Sequence, residues 1–325
     1  MCGRYANSRR PEDLVETFEV ERTAGRGPGQ DPSSARPDYN VAPTRPALVV
    51  LRRRVRDEVD GDGAPAPSPG PAGENGESAV PEPGEPPVVA DADGEPTADA
   101  ALEAAEAAPA SPPAPRMLRL LTWGLIPSWA KDRKVGGRMI NARAESLLDK
   151  PAFRRAALTR RCLVPADGWY EWQKSPTERD AKGKPRRQPF WIHPGVDRPI
   201  AFAGVYEFWR DPTKEGDDAW VTTFAIITTE AEHGLDVIHD RMPFVVPEDR
   251  WDDWLDPDLT DPDAVRALLR PPVPGRFVAT AVSMRVNAVA NNGPDLLEPV
   301  PLDQLHGVVD PATGELIGAG EAPLF

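Results

Sequence analysis

Cysteine, histidine and long apolar runs are what this sequence has least of. Two cysteines, Cys2 and Cys162, leave one possible pair in 325 residues, which excludes a disulfide scaffold and points to free thiols. The four histidines are scattered at 193, 233, 239 and 306. With no C-x-x-C pair and no H-E-x-x-H helix, no metal site and no cofactor is expected. Phosphate-cradling G-x-G-x-x-G and P-loop signatures are missing, as is the G-x-S-x-G of serine hydrolases. No apolar stretch reaches transmembrane length and no secretory signal opens the chain, so a cytoplasmic protein without a membrane partner is expected.

Positive charge is missing from one region. Between Asp57 and Pro115 there are 14 acidic residues, no Lys or Arg, no aromatic residue and 13 of the 40 prolines. Such a segment cannot bury enough apolar surface to offset chain entropy and is expected to be disordered, with a short helix at most over Ala98–Ala108. The formal charge of −14 comes from it: 52 − 14 leaves 38 acidic against 38 basic residues. A neutral remainder can still carry a local basic cleft for phosphates.

Strand-like runs flank the acidic segment, Ala47–Leu51 before it and Leu118–Trp123 after, so it reads as an insertion within one domain. The expected organisation is 1–56 plus 116–305 as the catalytic domain, 57–115 as the insertion and 306–325 as a C-terminal tail. Further strands are expected at Arg161–Pro165, Trp169–Gln173, Phe190–His193, Ile200–Trp209, Trp220–Thr228 and Phe277–Ser283, rich in β-branched and aromatic residues. Proline marks helix starts at Pro11, Pro247 and Pro262. Ala144–Asp149 and Ala152–Leu158 read as short helices and 174–188 as a polar hairpin loop. The class is α+β: a single compact β-rich domain with an antiparallel, barrel-like sheet and peripheral helices.

Cys2 directly after Met1 is the most informative position. If Met1 is removed, one residue carries an α-amine titrating near pH 8 and a thiol near 8.5. The amine can condense with an aldehyde to an imine, and the thiol can then close a five-membered thiazolidine ring. A small buried hydrophobe at a strand start is the alternative reading of Cys2. Glu171, set between Tyr170 and Trp172, is either a solvent-facing strand residue or a carboxylate of raised pKa. His239 is either a structural histidine or an acid/base group.

Six ordered motifs then make the sequence resemble the SRAP family (SOS-response-associated peptidase), the abasic-site processing proteins. They are Met-Cys-Gly-Arg-Tyr at 1–5, Tyr-Asn-Val-Ala-Pro at 39–43, Trp-Gly-Leu-Ile-Pro at 123–127, Ile-Asn-Ala-Arg-Ala-Glu at 140–145, Asp-Gly-Trp-Tyr-Glu-Trp at 167–172 and Ile-His-Asp-Arg-Met-Pro at 238–243. The resemblance implies a monomer with a positively charged cleft for single-stranded DNA, associated with the nucleoid. It further implies covalent capture of abasic sites as a thiazolidine crosslink, removal of the residue before Cys2, and a latent lyase-type activity. Cys2 would be the nucleophile, Asn141 would orient the N-terminus and the sugar, Glu171 would shuttle protons, and His239 would act on the opened deoxyribose and the imine. Arg4, Arg143 and Arg241 would hold the DNA backbone, with Thr228 assisting, while Asn40 looks structural. Trp123, Trp129 and Ile126-Pro127 are candidates for stacking at the DNA or for core packing. The acidic insertion is the departure from the family pattern and a candidate contact for a replication or repair protein. Two other readings stay open: an N-terminal-nucleophile amidohydrolase with a non-DNA substrate, and a non-catalytic single-strand binder.

Deleting Asp57–Pro115 is expected to leave a folded, active protein, because that segment adds nothing to a core. Affinity for single-stranded DNA should rise at low salt and converge with the parent at high salt, as fluorescence anisotropy across a salt series would register.

Overall fold

The computed structural model describes residues 2–23, 31–53, 114–271 and 273–318. The acidic segment, including Ala98–Ala108, lies outside the described residues apart from Ala114 and Pro115. Strands dominate: β1 (Tyr5–Asn7), β2 (Arg22–Thr23), β3 (Asp38–Val41), β4 (Pro46–Arg52), β5 (Arg116–Trp123), β6 (Asn141–Arg143), β7 (Arg161–Ala166) and β8 (Gly168–Arg179). They continue with β9 (Pro185–His193), β10 (Ile200–Arg210), β11 (Trp220–Glu230), β12 (Arg241–Pro243), β13 (Val278–Ala281), β14 (Val308–Val309) and β15 (Leu316–Ile317). The described α-helices are short: Pro11–Thr17, Pro151–Thr159, Trp251–Leu255 and Pro262–Leu268.

Five strands close on themselves. β11 pairs with β10, β10 with β7, β7 with β4 and β4 with β5, all antiparallel. β5 returns to β11 in parallel, with Thr122 opposite Thr223 and Trp123 opposite Phe224. The sheet is therefore barrel-like as expected, but parallel pairing completes the ring. A second, wholly antiparallel sheet, in the order β13-β9-β8-β1-β3, packs its apolar residues into the same core.

Alternation along the strands explains the layers. Val49 and Leu51 of β4 join Trp123, Val164, Phe202 and Phe224 in one buried cluster, together with Tyr5 and Trp169 of the second sheet. Leu48 and Val50, on the opposite face, pack with Leu14, Phe18, Phe153 and Trp254 of the helices. A strand buried on both faces reads as a continuous apolar run, which is what Ala47–Leu51 is. Prolines sit in the first turn of three helices, at Pro11, Pro151 and Pro262, and Asp261 caps the last by accepting from the backbone N–H groups of Asp263 and Ala264.

Three expectations need correction. The stretch 174–188 is not a loop: β8 runs on to Arg179 and β9 begins at Pro185, so a long ribbon turns at 180–184. Asp180 organises that turn by accepting from the backbone of Lys182 and Lys184. Most of the ribbon's residues beyond Ser175 are exposed or half-buried, so no apolar alternation marked them as strand. Ala144–Asp149 forms one 3₁₀ turn, Ala144–Ser146, and no α-helix. Part of the expected tail is structured: β14 and β15 pair, Val308 is buried, and the Gln173 amide both donates to the Val309 carbonyl (2.8 Å) and accepts from its N–H (2.7 Å). Arg52 and Arg116, the last residue of β4 and the first of β5, are register partners.

Gly204 of β10 lies where a Cβ would come 2.8 Å from Cys162 Sγ and 3.1 Å from Val164 Cγ2. Gly204→Ala should cost about 1–3 kcal/mol by overpacking. Combined with Cys162→Ala the loss should be clearly less than the sum of the two single changes, because the second removes the clashing sulfur. Urea unfolding of the three variants measures this.

Candidate functional site

Cys2 is fully buried in the core cluster that fills the barrel side of the second sheet. The strand behind it fixes its place: Tyr5 pairs with both Val41 and Trp169, and the Tyr170 N–H donates to the Arg4 carbonyl (3.0 Å). Gly168 lets β9 lie close against β8 behind this strand, since a Cβ there would lie 2.3 Å from the Ile192 carbonyl oxygen. The Cys2 Sγ itself lies 3.9 Å from the Arg4 carbonyl. Burial first, and the nearby Glu171 carboxylate second, push the Cys2 thiol well above its ordinary range. The thiol is therefore held protonated, unlike the partly ionised group expected from the sequence.

Asn141 opens β6, which lies parallel to β11 with Asn141 opposite Ile226. Its Nδ2 donates to the Cys2 carbonyl at 2.7 Å. Its Oδ1 is buried without a hydrogen-bond partner among the described residues. Glu171 belongs to β8 and is 3 % exposed, not solvent-facing. Burial is the main cause that raises its carboxyl to about 7, against the pull of the chain's positive amino terminus. At neutral pH it is close to half-protonated, which suits a group that gives and takes protons.

His239 lies just before β12. Burial, with the amino terminus adding to it, lowers its pKa below 6.5, while Asp240 pulls the other way. Its Nδ1 meets two partners: the Arg241 N–H at 3.0 Å and Asp240 Oδ1 at 2.8 Å. The first fits a neutral ring with its proton on Nε2, and the second fits an imidazolium. Either protonation state thus has a partner at Nδ1. The amino terminus acts on Cys2, Glu171 and His239 alike, and Asp240 acts on Glu171, so the chain's start, β8 and the loop before β12 share one electrostatic neighbourhood.

The arginines separate. Arg143 is exposed and lines a cavity of about 530 Å³ together with Asn141, Lys150, Phe153 and Trp129. Arg4 instead turns inward: its guanidinium donates to Asn40 Oδ1 (2.7 Å) and to the carbonyls of Val286 (2.7 Å) and Asn287 (3.3 Å). Arg241 is buried and grips both oxygens of Glu145, at 2.8 and 2.9 Å, and the Thr228 carbonyl at 2.6 Å. Thr228 is buried as well, so the side chains of Arg241 and Thr228 are built into the protein's own framework.

Trp123 is fully buried, and its indole N–H donates to the Ile140 carbonyl at 2.8 Å. It stacks on Phe224 and meets Tyr5 edge-on, so it is a core residue and cannot stack on a nucleic acid base. Ile126 is buried too, whereas Trp129 is 66 % exposed and borders the cavity beside Arg143. Asn40 is structural, as its sequence suggested: fully buried, its amide donates to the carbonyls of Val286, Ala288 and Asn291. Asp240, Lys150 and Glu145 are residues that the structure alone singles out. Glu145 stands in a recognisable motif, but nothing in a linear sequence shows that its carboxylate meets Arg241. Among the described residues no group of three His, Cys, Asp or Glu could hold a metal ion, and no helix is long and apolar enough to cross a membrane.

Comparison with known proteins identifies the family. The family model described as SOS response associated peptidase (SRAP) matches residues 1–289. The abasic site processing protein YoqW of Bacillus subtilis is 32% identical over 298 residues, covering 92% of this chain and 99% of its own length. YobE of the same organism, also named an abasic site processing protein, is 42% identical over 298 residues, with 92% and 99% covered. The chicken (Gallus gallus) abasic site processing protein HMCES is 32% identical over 210 residues, 58% of this chain and 59% of its own. Among solved structures, a phage-related protein from Bordetella bronchiseptica superposes with a TM-score of 0.50 at 26% identity, covering 86% of this chain and 94% of the other. On the family match and these relatives together, the chain belongs to the SOS response associated peptidase (SRAP) family.

Proposed function

We propose that this protein captures abasic sites in single-stranded DNA as a covalent thiazolidine, using Cys2 as its N-terminal residue after removal of Met1. The observation that carries the reading is the hydrogen bond from Asn141 to the Cys2 carbonyl, beside a buried Glu171 titrating near 7. The names of its Bacillus relatives support the same substrate.

The chemistry follows from the groups. An abasic site exists partly as an open-chain aldehyde. The Cys2 amine adds to the aldehyde carbon, its proton passing to the former aldehyde oxygen, while Asn141 Oδ1, which lacks a partner among the described residues, accepts a hydrogen bond from the amine N–H and orients the lone pair. Loss of water from the carbinolamine gives the imine, and that water needs a proton, which Glu171 or His239 supplies. The thiol then adds across the C=N bond: sulfur bonds to carbon and the thiol proton ends on nitrogen. One water is released overall and nothing is oxidised. A thiol held protonated leaves the first attack to the amine and enters second. Arg143, Lys150 and exposed Trp129 line the cavity next to Asn141, where phosphate and base would lie.

Removal of Met1, autocatalytic or otherwise, belongs to the same proposal, as does lyase-type strand cleavage whenever the imine is not trapped. The proposed organisation is one catalytic domain with an acidic insertion at 57–115, working as a monomer on DNA.

Cys2→Ala with Met1 removed keeps the amine and loses the sulfur. It should form an imine that borohydride traps, but no heat-stable adduct on a denaturing gel. A variant with a non-removable residue before Cys2 should form neither product. A stable crosslink from that blocked protein at the normal rate would sink the thiazolidine mechanism.

Glu171→Gln should slow adduct formation about 10²–10⁴-fold while the protein stays folded. It also has a thermodynamic signature. The folded-state carboxyl of Glu171 is raised from 4.5 to about 7, so its stabilising contribution is complete below 4.5 and is lost as pH rises through 7. The melting temperature of the parent should therefore fall relative to Glu171→Gln between those pH values and run parallel to it above about 8. Coincident curves across that window would refute a raised carboxyl.

A further inference from the structure

We propose that Glu145 is a positioning residue that sets the imidazole of His239 through Arg241, locking it to the segment that carries Asn141. This rests on the abasic-site reading of the site and adds a residue to it.

The linkage is continuous. Glu145 lies in the 3₁₀ turn Ala144–Ser146, immediately after β6, whose first residue is Asn141. Both of its carboxylate oxygens accept from the Arg241 guanidinium, at 2.8 Å and 2.9 Å. A two-point pairing between a planar fork and a carboxylate fixes orientation as well as distance. The Arg241 side chain is also tied to β11, where it donates to the Thr228 carbonyl at 2.6 Å. The backbone N–H of the same Arg241 donates to His239 Nδ1 at 3.0 Å. One residue therefore holds the imidazole with its main chain while its side chain is clamped by Glu145.

The topology makes this bridge a lateral brace between the two segments. β6 and β12 lie on opposite edges of β11, with Arg143 and Pro243 both opposite Thr228. Their ladders run to β11 and not to each other, so the side-chain bridge from Glu145 to Arg241 crosses over β11 and joins them. Both are three-residue strands, with little ladder of their own to hold register. Arg241 is 8% exposed while the Glu145 side chain is 49% exposed, so the pair ties a buried guanidinium to a carboxylate at the protein's surface. The Glu145 carboxyl is held below its ordinary range, chiefly by the Arg241 hydrogen bonds, so the clamp is charged at neutral pH.

The bridge also separates two jobs that a linear motif assigns to one arginine. A guanidinium with both arms on Glu145 and Thr228 presents no fork to a DNA phosphate. Arg241 then contributes to geometry, and the exposed Arg143 contributes to binding.

The test uses the full chain with Glu145→Gln, Glu145→Asp and the exchanged pair Glu145→Arg/Arg241→Glu. Three readouts are taken: affinity for an abasic oligonucleotide across a salt series, single-turnover adduct formation at saturating DNA, and the His239 titration by NMR. Glu145→Gln should bind DNA with parental affinity and salt slope. It should form adduct about 10–100-fold more slowly, the range typical of a reacting group displaced by around 1 Å, and its His239 titration midpoint should move. Glu145→Asp keeps the charge at shorter reach and should fall between parent and Gln, and the exchanged pair should recover part of the rate. Should Glu145→Gln fail to fold, Glu145→Asp carries the decision on the same readouts.

Unchanged adduct rate with an unmoved His239 titration would overturn the proposal. So would an altered DNA affinity with an unchanged rate at saturation, which would make Arg241 a phosphate ligand that Glu145 merely screens. Should the parent protein itself form no adduct, the abasic-site reading fails, and the His239 titration alone then decides for or against the clamp.

Discussion

Strand β11 is the constraint on which the rest depends. One edge receives β10 and then β12, while the other receives β5 and then β6. The parallel contact with β5 closes the barrel, and the adjoining contact with β6 begins two residues later at Ile226. Barrel closure and placement of Asn141 are thus consecutive events on a single strand edge. The Trp123 indole reinforces the join by reaching the Ile140 carbonyl, which also accepts from the Ile226 N–H. A defect in closure would be felt at Asn141 without any change in the residues that touch substrate.

The fold was legible wherever burial forces a pattern. Ala47–Leu51 and Ile200–Trp209 are apolar on both faces because both faces are covered, and both were readable as strands. The ribbon at 174–188 was not, since its outer arms are exposed and solvent accepts any polar residue there. For the candidate site, Cys2, Asn141, Glu171 and His239 were singled out in the sequence because the proposed chemistry demands those residue types, and motif order marked them. The arginines were misleading for a physical reason: a linear motif records that a guanidinium is required, not which way it points. Arg4 and Arg143 look alike in sequence, yet Arg4 faces Asn40 and the carbonyls of 286–287 while Arg143 faces the cavity. Trp123 and Trp129 divide in the same manner, one in the core and one at the surface.

Much of the positive charge near the site is consequently structural. A half-buried guanidinium bonded to backbone carbonyls, as in Arg4, rigidifies the segment that accepts from it. Arg4, just before β1, and Asn40 of β3 together collect carbonyls of residues 286–291 beside the segment that carries Cys2. A segment nearly three hundred residues away in sequence therefore helps hold the start of the chain. The segment next to Cys2 is thus ordered by a part of the domain synthesised late, so it is finished only when most of the fold is.

The buried Cys2 thiol has a bearing on how long the protein stays competent. Peroxide and disulfides react with the thiolate, and a sulfur kept protonated inside an apolar cluster offers almost none of it. On the proposed mechanism, a reagent that waits for rare lesions must survive diffusible oxidants between encounters. The buried sulfur would be withheld from them and would react only with an imine carbon already tethered through the Cys2 nitrogen. The same burial that makes Cys2 a poor general nucleophile would then preserve it for a single use.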